Sequence, residues 1–422
     1  MSKAALQAPR PTPPVLRQTA NLVARTGVVV AVSLIANVIS ARALGADGRG
    51  ALAFALQAAF MVSFVVLLGS ERAVAVVLPG QPISRSLPAV TSVSRYNAAV
   101  TAGVGVVALV ATIVGTDLVW IRYVAPVTAM ALASALSRAL ESSAINAHRA
   151  AIVLVNSGGA SLVSLGLLAG LALADVNDPA IWVSAYAIGA LLVGAALAHR
   201  FGLRSSSTSS RVGGPLLKQL SNTGKRLFPA SLASHAAYRS DRLILPILAD
   251  TEALGFYVVV ASFTDIVAGP VEALSKVVLP RWRLAVLEGT FAPRRVFWAA
   301  GIYLSVAAVG SVLVGRQLIV PVFGEEYAAS RELLPLLAFG SALFTMGRLL
   351  ASYRLAQGHV NLASAADLVG MIAAIVAYVA LIPSLGAQGA ALGAIIGYAS
   401  GILALLAVGG RVNVDESPVG DE

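Results

Sequence analysis

Ser231, His235, Arg239 and Arg242 follow one another at steps of four, four and three, which sets all four side chains on one stripe of a helix. Guanidinium groups aligned in this way form a row of forked donors, suited to pairs of carboxylate or phosphate oxygens. Asp241 lies two residues beyond Arg239 and points about 200° away from it, so the simplest salt bridge within that helix is excluded. A second polar arc, Asn21, Arg25, Thr26, Ser33, Asn37 and Ser40, covers less than half of another helix. Asp265, Glu272 and Lys276 share a face at steps of seven and four. Arg25, Arg239, Arg242 and Lys276 together outline a basic, hydrated cavity for an anionic substrate. The competing reading is that these charges neutralise neighbours and lock helices together, as Glu272 and Lys276 can at i,i+4. For Glu71 and Arg72 the expectation is snorkelling or local pairing, and for Arg348 and Arg354 it is snorkelling. Asp241 and Asp367 form a separate question. An acidic residue inside a bundle can bind a coupling Na+ or H+, or it can pair with an arginine such as Arg348.

Signals of covalent chemistry are missing. The histidines His148, His199, His235 and His359 are dispersed, there is no cysteine, and no His-Glu-x-x-His, Gly-x-Ser-x-Gly or Walker pattern occurs. No enzyme activity, metal centre or cofactor is expected, apart from a coupling ion.

The elements that must position the charges are membrane helices. The chain has 422 residues, 58% hydrophobic and 12% charged, with a mean hydropathy of +0.83; soluble domains carry about 25% charged residues. The apolar residues come in runs long enough to cross a bilayer as helices. Twelve spans are expected, at 19–43, 51–78, 89–114, 119–147, 150–173 and 180–198, then 227–249, 254–280, 296–322, 333–356, 362–382 and 388–409. The fold class is therefore an all-α polytopic membrane protein in two six-helix lobes, 19–198 and 227–409. A basic, Ser/Gly-rich linker over 199–226 joins them, and polar tails cover 1–18 and 410–422. The first apolar run lacks a convincing cleavage site and reads as an uncleaved span.

The net charge of +10 is spread over short connecting segments with no aromatic-interleaved patch, so nucleic acid is not an expected partner. With the N-terminus inside, Arg85, Arg149, Arg200, Lys218, Lys225, Arg226, Arg294 and Arg295 fall on the cytoplasmic side. Asp47, Asp117, Asp175, Asp178, Asp250, Glu252, Glu325, Glu326 and Glu332 fall outside, with only Arg49 and Arg331 against them. That asymmetry places both termini in the cytoplasm and the protein in the inner membrane, surrounded by its lipids. The halves also echo one another: His148 precedes Asn156 as His359 precedes Asp367, and Ala46-Asp47 leads to Gly50 as Ala249-Asp250 leads to Gly255. Internal duplication of this kind is common in secondary transporters.

Four stretches carry a family resemblance. Ser40-Ala41-Arg42-Ala43-Leu44-Gly45-Ala46-Asp47-Gly48-Arg49-Gly50 resembles the first outer loop of polysaccharide flippases in the multidrug/oligosaccharidyl-lipid/polysaccharide (MOP) exporter superfamily. Ser240-Asp241-Arg242-Leu243-Ile244-Leu245 with Glu252-Ala253-Leu254-Gly255-Phe256-Tyr257 is similar to the seventh-span signature of that family. Val322-Phe323-Gly324-Glu325-Glu326-Tyr327 resembles its outer loop between spans nine and ten. Leu381-Ile382-Pro383-Ser384-Leu385-Gly386-Ala387-Gln388-Gly389-Ala390-Ala391-Leu392 resembles its turn into the last span. The resemblance implies a V-shaped pair of lobes that moves a polyprenyl-pyrophosphate-linked oligosaccharide to the outer leaflet, alongside polysaccharide polymerase machinery. It implies a basic central cavity, for which Arg25, Arg239, Arg242 and Lys276 are the residues by position, and a cation site at Asp241 and Asp367. Twelve spans differ from the fourteen usual in the lipid II flippase branch, which favours an exopolysaccharide or O-antigen-like unit as cargo. The alternatives are a multidrug or small-molecule cation antiporter of the same superfamily, and a membrane-embedded glycosyltransferase or polymerase, for which the outer loops are short.

Overall fold

A computed structural model describes residues 15–114, 121–203, 213–287 and 293–407. Their regular structure is helical throughout. The helices are α1 (Val15–Leu67), α2 (Ser70–Val77), α3 (Ile83–Val114), α4 (Ile121–Asn146), α5 (Ala150–Leu173), α6 (Pro179–Ala198), α7 (Gly214–Arg239), α8 (Asp241–Leu248), α9 (Thr251–Leu287), α10 (Arg294–Phe323), α11 (Leu334–Ala356) and α12 (Val360–Ala407). Eight stretches are long and apolar enough to cross a membrane by length and composition alone.

The longest two, α1 and α12, each fold back on themselves at a glycine. Gly45 has φ 66° and Gly386 φ 53°, in the left-handed region that only glycine adopts without cost. In α1 the return is shown by Arg49, whose Nη2 donates to Asn37 Oδ1 at 2.6 Å across twelve residues of sequence. In α12 glycines at every fourth position face the first arm. A Cβ added to Gly389 would lie 2.4 Å from the Leu381 carbonyl oxygen, one on Gly393 2.4 Å from the Tyr378 ring, and one on Gly397 2.6 Å from the Ala374 Cβ. Close backbone approach through small residues is how helices adhere where no water drives them together. Counting both arms, with α1–α2 and α7–α8 each continuing one pass, the described helices make twelve passes, six on either side of the linker.

Apolar side chains face outward as well as inward. Val106, Val107, Val110 and Ile113 of α3, and Ile302, Val306, Val309 and Leu313 of α10, are exposed, as side chains that meet lipid should be. The largest shared core is the one between lobes. Ala41, Ala46 and Ala53 of α1 pack with Leu254, Tyr257 and Val258 of α9, Phe323 of α10, and Tyr378 and Ile382 of α12.

The linker differs from its expectation. Residues 214–226 are not a flexible tether but the first half of α7. Leu220 is buried and Leu216, Leu217 and Leu227 are packed against Val66, Leu67 and Val74 of the first lobe, while Lys218, Lys225 and Arg226 stay exposed. Leucine spacing at i, i+1, i+4 within a polar stretch is what builds that amphipathic turn. Residues 204–212 lie outside the described residues, as do 1–14 and 408–422 of the expected tails; α1 is already helical from Val15.

Candidate functional site

The seventh pass breaks where its charges sit. α7 ends at Arg239, α8 begins at Asp241, and Pro246 withholds the N–H that would reach the Arg242 carbonyl. Arg239 Nη2 lies 3.2 Å and Arg242 Nη2 3.5 Å from Asp265 Oδ2 on α9. The partner that the arginine stripe lacks on its own helix is thus supplied by the next one. Arg49 enters the same seam from the second arm of α1, with 6% of its surface exposed. Arg49, Arg242 and Asp265 face one cavity of about 240 Å³ with Ser33, Asn37 and Ser262. The Nε–H groups of Arg49 and Arg242 are buried there without an acceptor. A buried donor without a partner costs roughly 1–3 kcal/mol, more when charged, so the seam is short of acceptor oxygens.

Asp241 is held by α9 and by the backbone beside it. Its Oδ2 accepts from the Tyr257 hydroxyl at 2.5 Å and its Oδ1 from the Arg242 backbone N–H at 2.9 Å. Arg239, Asp241 and Arg242 line a small pocket of about 40 Å³ with Tyr257, Phe344 and Tyr398. Phe344 and Tyr398 also line a larger cavity, about 400 Å³, with Arg72, His235, Glu272, Arg348 and Asp367. This cavity lies in the half of the helices nearer His148 and His359. Asp367 Oδ2 sits 3.7 Å from Arg348 Nη1. Asp241 and Asp367 therefore line separate pockets that meet at Tyr398. The side chains of Arg25 and Lys276 lie outside the described residues.

Other charges find their places around the cavities. Arg348 and Arg72 line the large cavity rather than snorkel. Arg354 is buried, donating from Nε to the Leu405 carbonyl at 2.9 Å at the end of α12. Glu71 pairs locally, 3.4 Å from Arg138, whose guanidinium lies 3.4 Å over the Phe64 ring. The other side of this cluster reaches the second lobe, where the His235 ring is 4.4 Å from that of Phe64.

At the end marked by Gly45 and Gly386 the lobes are zipped shut. Arg42 donates to the carbonyls of Val322 at 2.7 Å and Pro321 at 2.6 Å, the acceptors left over in the last turn of α10. Glu326 Oε1 accepts from the Ala46 N–H at 2.7 Å, the Tyr327 hydroxyl donates to the Ala41 carbonyl at 3.1 Å, and the Thr251 hydroxyl donates to Asp47. Burial holds the Tyr327 phenol above its ordinary pKa, so it stays a donor. Gly50 and Gly255 let the backbones touch: a Cβ on Gly50 would come 1.7 Å from the Thr251 carbonyl oxygen, one on Gly255 2.0 Å from that of Ala46.

Arg49 was missed in the sequence because it reads as a loop charge. It stands four residues past Gly45 and Asn37 eight before it, so the symmetry of the turn does not pair them and only the way the second arm is laid against the first brings them together. Asp265 was seen, but nothing in one sequence places it against the α7 stripe.

No protein-family model matches the chain, and no curated protein matches it by sequence. Solved structures do match by shape. The lipid II flippase MurJ in an inward closed conformation aligns with TM-score 0.61 at 14% identity over 92% of this chain and 87% of that one. An inward-facing multidrug resistance MATE family transporter of the MOP superfamily aligns with TM-score 0.60 at 13% identity over 89% and 92%. A MOP superfamily transporter from Pyrococcus furiosus, described by the reverse polarity of its binding pocket, aligns with TM-score 0.52 at 12% identity over 93% and 94%. The described residues, helical throughout, therefore have a fold similar to that of these MOP superfamily structures.

Proposed function

We propose that the chain is a flippase that carries a polyprenyl-pyrophosphate-linked oligosaccharide across the inner membrane, for polysaccharide assembly, by alternating access. The observation that supports this reading is the acceptor-poor seam, where Arg49 and Arg242 hold buried Nε–H groups without acceptors and Arg242 shares Asp265 with Arg239. A diphosphate supplies the missing oxygens in the geometry guanidinium forks prefer. A structural neighbour is described by the reverse polarity of its pocket, which suggests a different function for it. Pocket polarity is accordingly the property on which we rest the substrate class.

In this reading the Gly45 end faces outward and both termini inward. The cargo enters with the Gly45 end sealed, the diphosphate settles on the arginines, and the polyprenyl tail stays in lipid. Rocking of the lobes then breaks the outer zipper. No covalent bond changes, and no catalytic group is needed. Asp241 and Asp367 are proposed as coupling sites for Na+ or H+, acting one carboxylate at a time because they line different pockets. Polysaccharide polymerase machinery is the proposed downstream partner.

A second reading, an organic-cation antiporter, is favoured by one observation: Asp241 shares its pocket with Tyr257, Phe344 and Tyr398, a carboxylate among aromatic faces. Translocation of lipid-linked oligosaccharide in proteoliposomes separates the two. Arg49→Ala and Arg242→Ala should each slow it by about tenfold or more, the worth of a lost charged hydrogen bond. Undiminished transport in both variants overturns the arginine assignment. Cation exchange driven by an organic cation, with no response to lipid-linked sugar, overturns the flippase reading.

A further inference from the structure

We infer that Glu326 is a proton-sensitive latch between the lobes at the Gly45 end; the inference rests on the alternating-access reading above, but not on the identity of the cargo. Three observations carry it. The first is where the carboxylate sits. The return arm of α1 starts at Ala46, and the first N–H groups of any helix lack partners within it. Glu326, on the short 3-10 helix Glu325–Leu333 of the second lobe, accepts from the Ala46 N–H at 2.7 Å. A Cβ added to Gly45 would lie 3.1 and 3.2 Å from the two Glu326 carboxylate oxygens, so the turn leaves room for the whole group. The first lobe thus borrows a helix cap from the second.

The second is the contrast with the echoing turn. At the start of α9, Asp250 Oδ1 accepts from the Ala253 N–H at 2.6 Å, a cap supplied within its own lobe. Asp47, the counterpart of Asp250 in the echo, is turned instead to the Thr251 hydroxyl across the junction. Parting the lobes leaves the α9 cap in place and takes the α1 cap away.

The third is charge. A carboxylate at a helix N-terminus is favoured by the helix dipole only while it is ionised, and its hydrogen bond is the stronger for the charge. Glu326 is exposed, so water reaches it with the lobes closed. The other charged groups on the elements that meet there are Arg42, Asp47 and Arg49 of α1, Asp250 and Glu252 of α9, and Glu325, Arg331 and Glu332 beside it. Arg42 is engaged by carbonyls at the end of α10, Asp250 by its own helix and Glu332 by Gln388. Proton uptake at Asp250 or Glu332 therefore alters contacts within the second lobe, while at Glu326 it weakens a contact between lobes. Asp47 also crosses, but to a hydroxyl rather than a helix terminus. The ionised form of Glu326 makes the closed contact. By linkage, closure is firmest at neutral pH and loosens as the pH falls through the range where carboxylates gain protons.

The chain has no cysteine, so spin labels can be placed at Asn177→Cys in the first lobe and Leu385→Cys in the second, both exposed at this end. The test reads the distance between them by pulsed dipolar spectroscopy on the full chain in nanodiscs, at about pH 7.5 and about pH 4. A longer distance, from lobes parted at this end, should gain population about fivefold on acidification, the worth of a charge at a helix terminus. Glu326→Gln should raise that population at neutral pH and remove most of the acid response, while Glu332→Gln should keep the response. A full response in Glu326→Gln, or none in the parent while Gly50→Ala still parts the lobes, overturns the latch and leaves alternating access standing. One short distance under every condition, Gly50→Ala included, overturns alternating access and the latch with it.

Discussion

Asp265 is the residue on which the proposed anion site turns. Its carboxylate lies 3.2 and 3.5 Å from two guanidinium groups, so it occupies the place that a phosphate oxygen would take. Asp265 is 40% exposed on its side chain, and solvent screening keeps the pair from contributing much stability. Its effect is on ligand affinity. Asp265→Asn should tighten binding of undecaprenyl pyrophosphate by about tenfold, since one competing charge-assisted contact is removed. Arg242→Ala should weaken it by a similar factor. Titration of the bare lipid into both variants checks the opposite signs, and weakening in both would show that Asp265 only orients the arginines. Arg239 and Arg242 both reach Asp265, and that they share a face was legible in the sequence, because a step of three fixes it. The Arg239–Asp265 and Arg49–Asn37 contacts were not, because each depends on how a second helix, or a returning arm, is laid against the first. Arg354 shows the same limit. Near a helix end it reads as a snorkelling charge, yet the end of α12 lies close enough to take its hydrogen bond.

Among the elements, the glycines set what can touch and what can part. The α12 hairpin is held by Gly389, Gly393 and Gly397, whose missing Cβ atoms admit Leu381, Tyr378 and Ala374. Gly393→Val should force Tyr378 from its place and destabilise the hairpin by about 1–3 kcal/mol, as overpacking does. A lowered midpoint of thermal unfolding in detergent checks this. Gly50 and Gly255 hold together surfaces that the proposed alternating access would separate. Gly50→Ala would bring a methyl group within 1.7 Å of the Thr251 carbonyl, so the variant should favour the state open at the Gly45 end rather than unfold. The chain has no cysteine, so a single Ala53→Cys, 8% exposed in the closed structure, reports on that opening. A membrane-impermeant maleimide should label it severalfold faster with Gly50→Ala than without; equal rates would make Gly50 a packing glycine with no part in gating. The spans themselves were readable from apolar runs, and the echo Ala46-Asp47/Gly50 and Ala249-Asp250/Gly255 marked the two turns that meet here. The first half of α7 was not readable, because Ser, Gly and Lys between its leucines gave the composition of a tether.

At the scale of the whole molecule, one end is closed by direct contact between lobes and the other carries the cavities. The α7 segment changes what can move. Its start is packed on the first lobe through Leu216, Leu217 and Leu220, and its end carries Arg239 into the second. Any rocking of the lobes must therefore bend or shear this pass, and Pro229 within α7 and the break after Arg239 are the places built to yield. Two closures then compete: the zipper at the Gly45 end, and a closure round the His148–His359 end that requires the zipper to open. Asp47 and Thr251 meet across the zipper, so Asp47→Cys with Thr251→Cys, joined by a short bis-methanethiosulfonate, should hold it shut. The locked protein should still bind lipid-linked oligosaccharide from the His359 side, yet translocate none until a reductant releases it. Translocation that persists while the link is intact would mean that the cargo passes without parting these helices, and alternating access through this seam would fall.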